Sequence, residues 1–165
     1  MSKLFVDEIQ PKTTGGVITF QPNRPMFQVG LSSDQSIPNG TTTQVNWNDI
    51  QESSGGFNIG GHFDLSNHRF KPTVSGYYFF TVQLRVEFAT PDYLSLLIKK
   101  NGSTIRFNVG TESNAANAYV TSHTTTMVHM NGSSDFITVD CSQNSGSAKD
   151  LMSIYGQTQF GGFLI

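Results

Sequence analysis

Residues 76–89 constrain the fold more than any other part of the chain. Tyr78, Phe80, Val82, Leu84, Val86 and Phe88 fall on one side of a two-residue period, and Thr81, Gln83, Arg85 and Glu87 on the other. Strict alternation over this length predicts a long strand with one buried face and one wet face. Tyr77 and Phe79 break the polar face at its start. Composition supports the same class. Thirteen Phe against nine Leu and five Ala favour strands over helices. Ser, Thr, Asn and Gln fill 57 of 165 positions, and only 13% of residues are charged, which suits polar loops. No window of twelve residues carries a helical period. Further strands are expected at 26–31, 43–47, 94–98, 105–109, 118–130, 136–141 and 151–165. About ten strands with this spacing predict a two-sheet sandwich or jelly roll.

Turn chemistry divides the strands. Asn39-Gly40, Asn101-Gly102 and Asn131-Gly132 read as tight turns, because both residue types tolerate positive φ. The first 25 residues differ from the rest. Two short strand candidates, 4–9 and 17–20, flank a loop, and Pro22 and Pro25 make an extended linker. A lone hairpin of this size is marginal in water. Its apolar residues Leu4, Phe5, Val6, Ile9, Val17, Ile18 and Phe20 therefore need a partner surface.

Several functional classes are excluded. A net charge of −2 leaves nothing to neutralise a run of phosphates, so neither nucleic acid nor an anionic membrane is an expected partner. No apolar stretch approaches the ~20 residues of a membrane-spanning helix. The opening residues have no apolar core of a signal peptide, so the expectation is synthesis in a cytosol without secretion. The lone Cys141 lies in a strand-like run and reads as a small buried hydrophobe.

The string NIGGHFDLSNHRFKPTVSGYYFF at 58–80 resembles the signature of the globular head of the complement 1q family, whose fold is the tumour-necrosis-factor-like jelly roll. The matching positions are Asn58, Phe63, Phe70, Gly76, Tyr78 and Phe80. FQVGL at 27–31 and FGGFLI at 160–165 support it, adding Phe160, Gly162 and Phe163 to the core signature. Glu52 and Val82 stand where the family motif has aromatics. The resemblance covers residues 26–165. It implies an all-β jelly-roll head behind a short N-terminal β-segment (residues 1–25), and a homotrimer with Tyr77, Phe79 and Phe27 at the subunit interface. The signature is one of core residues and carries no chemistry, so it licenses the fold and not a function. No collagen-like Gly-X-Y period is present. LFVDEIQPKTTGGVI at 4–18 is similar to segments of bacteriophage fibre and appendage proteins, particularly of marine phages. Together these resemblances imply a virion structural protein, docked to other virion proteins through its N-terminal segment. The alternative is a lectin-like module that binds a host cell-surface glycan or protein.

Catalytic and metal motifs are missing. There is no nucleophile elbow, P-loop, dinucleotide fingerprint or zinc-binding His-Glu pattern, and an enzyme is not expected. The histidines form pairs six apart, His62/His68 and His123/His129. Six strand residues span ~20 Å, so a pair cannot chelate one ion, although three copies around an axis could ring one. Asp64, Asp92, Asp135, Asp140 and Asp150 sit near strand ends. Some relatives bind calcium in such loops, but no calcium-loop pattern is present; no cofactor is expected, with calcium as the one ion to consider. Trp47 is expected in the core. Tyr93, Asn114, Asn117, Gln143 and Asn144, in or beside the 110–118 and 142–149 loops, are the candidate ligand contacts, against plain connectors as the other reading.

Overall fold

The alternation in residues 76–88 is built as one thirteen-residue strand, around which the rest of the chain is arranged. The computed structural model describes residues 24–50, 55–88, 93–111 and 118–165. The N-terminal strand candidates at 4–9 and 17–20 lie outside the described residues. In chain order the strands are β1 (Met26–Gly30), β2 (Gln35–Ile37), β3 (Thr43–Gln44), β4 (Phe57–Ile59), β5 (Phe63–Asp64), β6 (Arg69–Phe70) and β7 (Gly76–Phe88). There follow β8 (Tyr93–Lys100), β9 (Ser103–Thr111), β10 (Ala118–Met130), β11 (Ile137–Gln143), β12 (Lys149–Leu151) and β13 (Gln159–Leu164).

Two antiparallel sheets face each other. In the first, β10 covers one edge of β7 along its whole length, from Ala118 opposite Phe88 to Met130 opposite Gly76. The other edge of β7 is shared. β13 takes residues 78–83 and β12 meets Val86. β1 follows β13, and β4 follows β1. The second sheet runs β5-β6-β11-β8-β9, with β3 on β11. The sequence suggested a single last strand over 151–165. It is instead broken by a 3-10 turn at Ile154–Gly156, and Gly156 takes a positive φ of 63° there. The break lets β12 and β13 lie on different stretches of the same β7 edge.

Alternation sorts the side chains between the sheets. Tyr78, Phe80, Val82, Leu84 and Val86 of β7 face Leu94, Leu96 and Ile98 of β8 and Ile137, Val139 and Cys141 of β11, all of them buried. The aromatic part of this core centres on Phe27, whose ring lies 4.6 Å from Phe70, 4.8 Å from Phe160 and 5.1 Å from Phe63 between centroids. Such pairs add about 0.5–1.5 kcal/mol each beyond the area they bury. Trp47 is fully buried and packs 5.8 Å from Phe160. Burial pushes the Cys141 thiol up to about 12, with the neighbouring Asp140 charge adding to the effect.

Two turns are fixed by Asn side chains. Asn101 and Gly102 take φ of 53° and 82° between β8 and β9. The Asn101 Oδ1 accepts from Phe136 N at 2.9 Å, and its Nδ2 donates to Asp135 at 2.8 Å. The Asn131 Oδ1 accepts from the backbone N–H groups of Ser133, Ser134 and Asp135. At Gly132 a Cβ would lie 2.4 Å from Ser75 N. Only glycine permits the approach of this second turn to the backbone at Val74 and Ser75.

Candidate assembly surface

The outward face of the first sheet is the candidate site, because its residues divide sharply along the strands. Register aligns Ile59 of β4, Met26 of β1, Phe163 of β13, Phe79 of β7 and Met127 of β10 in one row across five strands. Side chains directly opposite one another share a face, so this is a continuous apolar row. Met127 is 69% exposed and Phe163 45%. The Phe79 and Phe163 rings lie 5.6 Å apart. One step toward the strand ends, Tyr77 is 63% exposed and meets His129 edge-on at 5.2 Å. The exposed Ile165 donates its N–H to Tyr77 O at 2.9 Å.

The rest of the face is mostly polar. The next row holds the half-buried Phe57 of β4 followed by Gln28, Gly161, Thr81 and Thr125, and the one after it Gly30, Gln159, Gln83 and His123. Thr81 Oγ1 and His123 Nε2 are 3.2 Å apart. Beyond them the Arg85 guanidinium lies 4.1 Å above the Tyr119 ring, a cation–π contact. A separate apolar strip, Ile105, Phe107 and Val109, is exposed on β9 at the edge of the second sheet. Large apolar surfaces of this kind on a folded chain mark contact sites.

Of the residues that sequence reasoning placed at a subunit interface, Tyr77 and Phe79 lie on the apolar rows. Phe27 does not. It is 1% exposed at the centre of the aromatic core, because β1 turns Phe27 and Val29 inward and Met26 and Gln28 outward. Among the expected core positions, Phe63, Phe70, Tyr78, Phe80 and Phe160 are buried. Phe163 is a correction in the other direction. It is three residues from Phe160, so on one strand the two must point to opposite faces. The buried Gly162 lies under Phe80, whose Cδ1 would be 2.5 Å from a Cβ. Gly76 is half-buried beside Leu164, and Asn58 clips the loop before β5 by exchanging two hydrogen bonds of 3.0 Å with the Phe63 backbone. The Tyr78 hydroxyl donates to Val74 O at 2.8 Å, and burial raises its pKa to about 12.

The candidate ligand contacts separate similarly. Asn114 and Asn117 lie outside the described residues, as do Asp92, Glu52 and the seven apolar residues of the N-terminal segment. Tyr93 is half-buried, and its N–H donates to Asn144 Oδ1 at 3.1 Å. Gln143 is fully buried and is a structural residue rather than a contact. Its Nε2 donates to Ile37 O and Ser147 O, and its Oε1 accepts from Ser145 N at 2.7 Å, which shapes the loop after β11.

The four histidines have four different settings. Thr73 N–H donates to His62 Nδ1, and burial lowers the His62 pKa below its ordinary value. His68 Nδ1 is 2.9 Å from Trp47 O, whereas His123 and His129 lie on the outward face described above. Asp64, Asp135 and Asp140 pair with Arg69, Lys100 and Lys99; Asp150 is exposed. Lys100 and then Asn101 draw the Asp135 carboxyl down to about 2, with Asn131 N–H adding to them against the opposing effect of burial. Among the described residues no group of three or more His, Cys, Asp or Glu is placed to hold a metal ion.

A model of the C1q domain matches residues 26–165. No curated protein sequence matches the chain. Solved structures share the fold at low identity. Murine APRIL superposes with a TM-score of 0.60 at 15% identity, over 86% of this chain and 99% of that one. The globular domain of zebrafish complement 1qA gives 0.58 at 15% identity, over 86% and 97%. Eiger TNF of S. frugiperda gives 0.60 at 9% identity, over 86% and 91%.

Proposed function

The chain belongs to the C1q-domain family, and from that premise we propose that it is a non-enzymatic homotrimeric head assembled through the outward face of its first sheet. The row Ile59, Met26, Phe163, Phe79 and Met127 carries this reading. It is apolar across five strands, and one protomer has nothing further to put on it among the described residues. The apolar strip on β9 is a second, different surface. Two unlike surfaces on one protomer suit a head-to-tail contact that closes into a ring.

In this reading the head belongs to a bacteriophage virion, as a tail fibre, head fibre or capsid decoration, made in the host cytoplasm. Residues 1–25 dock it to other virion proteins. The likeness of residues 4–18 to phage appendage segments supports this role. So does the position of β1, which begins beside the apolar rows, with Leu164 N–H donating to Pro25 O at 3.0 Å. Light scattering on the full chain and on a chain starting at Met26 tests the assembly. The expected mass for both is three times that of one chain, with one protomer of the full chain at 18.1 kDa. A full chain that stays monomeric at micromolar concentration overturns it. A shortened chain that alone falls to monomer moves the trimer contact to residues 1–25.

A second reading, a head that binds cell-surface glycans, is favoured by one observation. The polar end of the same sheet borders a cleft lined by amides, hydroxyls and a carboxylate. Saturable adsorption to host cells or to a glycan array is the measurement that separates the two roles.

A further inference from the structure

Met127 and Tyr77 are the two most exposed large apolar side chains among the described residues, and His129 stands beside both. It lies directly opposite Tyr77 across β10 and β7, with the two rings edge-on at 5.2 Å between centroids. It is two residues from Met127 on β10, so the two side chains share the outward face. His129 is itself exposed in one protomer. A surface that covers Met127 and Tyr77 therefore covers this imidazole as well.

Histidine is the side chain that changes charge between pH 5 and 8. Neutral, its imidazole packs edge-on against Tyr77 as one more aromatic ring. Protonated, it is a cation whose removal from water is costly unless an opposite charge meets it. Among the described residues, the charged groups on the elements packed around β10 are cationic, already paired or remote. From β8, Lys100 Nζ donates to His129 O at 2.8 Å, and the same amine pairs with Asp135 at 2.8 Å. From β7 the facing group is the Tyr77 ring. Arg85 and Glu87 are eight and ten residues further along that strand, about 26 Å or more away. β9 lies beside β10 through the Asn108 Nδ2 bond to His123 O at 3.1 Å. Between Ser103 and Thr111 it carries one charge, the cation Arg106. Arg24 is exposed two residues before Met26.

We propose that His129 makes assembly of the head acid-labile: the contact buries a neutral imidazole at pH 8, and protonation near pH 5 opens it. The proposal rests on the assembly reading given above. In the head-to-tail contact of that reading the covering surface is the apolar strip of β9, so the next copy brings Arg106 toward His129 and not a carboxylate. An assembly that buries the neutral form holds fewer protons than free protomers do, and it weakens as pH falls through the histidine range. At pH 5, about 1.5 units below the ordinary histidine value, the loss is about 30-fold per protomer. For three protomers the concentration needed for half-assembly then rises about a hundredfold.

Two other acid effects are separable. Burial lowers the His62 pKa, so protonation of His62 weakens the protomer itself and not the contact. The Asp135 carboxyl titrates at about 2, well below the range in question.

The test is sedimentation of the full chain over a dilution series at pH 8 and pH 5, with far-ultraviolet circular dichroism to follow the protomer fold. The concentration for half-assembly is expected to rise about a hundredfold at pH 5, with the dichroism unchanged. His129→Phe keeps a ring against Tyr77 and cannot take a proton, and its half-assembly concentration is expected to stay within about threefold between the two pH values. If dichroism shows that this variant misfolds, His129→Gln takes its place with the same expectation. His123→Gln, about 20 Å along β10 in the polar part of the face, is expected to keep the full shift. Equally tight assembly at both pH values overturns the proposal and leaves the assembly reading standing. So does a shift that survives His129→Phe, one that disappears in His123→Gln, or one that tracks loss of the dichroism. A full chain that is monomeric at pH 8 removes the assembly reading and the proposal together.

Discussion

Phe79 and Phe80 are neighbours in sequence and lie on opposite sides of one sheet. Phe80 is fully buried, with Phe27, Phe70, Tyr78 and Phe160 around it. Phe79 is half-buried, and its ring neighbour among the described residues, Phe163, is itself 45% exposed. The same pairing recurs along β1, with Phe27 inside and Met26 outside, and along β13, with Phe160 inside and Phe163 outside. The inner set is complete within one protomer and holds the sheets together. The outer set is left uncovered by the described residues. In the assembly proposed above, apolar residues on both faces of three adjacent strands serve two levels of organisation at once.

The largest effect is expected from the inner set. Phe27→Ala should cost about 3–5 kcal/mol, because a buried aromatic leaves a cavity its neighbours only partly fill. Denaturant unfolding measures it, and a loss below about 1 kcal/mol would break the contrast between the two faces.

The turn network comes next. Asp135→Asn removes the carboxylate that holds Lys100, Asn101 and Asn131, and should cost about 1.5–3 kcal/mol at pH 7, as for hydrogen bonds to charged groups. The native carboxyl titrates at about 2, below the ordinary value near 4. Its stabilisation is therefore fully present above about pH 4 and is lost as pH falls toward 2. The variant should lack that part of the acid-unfolding profile. An unchanged profile would mean that the network does not stabilise the fold.

Phe79→Lys tests the outer set. We expect a folded protomer whose stability changes by about 1 kcal/mol or less, and a mass by light scattering of a single chain. A trimer that survives a charge in the middle of the row would move assembly away from this face. The smallest effect is expected from Thr125→Ala, in the polar row beside the apolar one. It should alter stability by no more than about 0.5 kcal/mol and leave the mass unchanged. Dissociation by this variant would extend the contact across the whole face.

How much of this was legible depended on parity. The inward and outward sets of β7 could be read from the sequence because alternation persists over thirteen residues. In β13 the same rule applies, but glycines at 161 and 162 leave only Phe160 and Phe163 to show it, and the family-like string drew both into the core. Gln143 looked like a loop residue because its partners, Ile37 O and Ser147 O, include one more than a hundred positions away. The break at 154–156 carried no proline to announce it. The cleft was invisible for a different reason. Its wall is drawn from 28–32, Asp49, Gly56 and 153–159, four segments that only the sheet order brings together.

The placement of β1 has a mechanical consequence. The strand enters at the apolar end of the sheet and runs toward the pole where β7 ends and β10 begins. It is flanked on both sides, by β13 through five residue pairs and by β4 through three. A head tethered by its first residues and pulled from that far pole loads β1 along its own length. The ladder bonds on both flanks then lie across the force and resist it together, rather than opening one after another like a zip. A tether attached at this point can carry tension without peeling the sandwich apart.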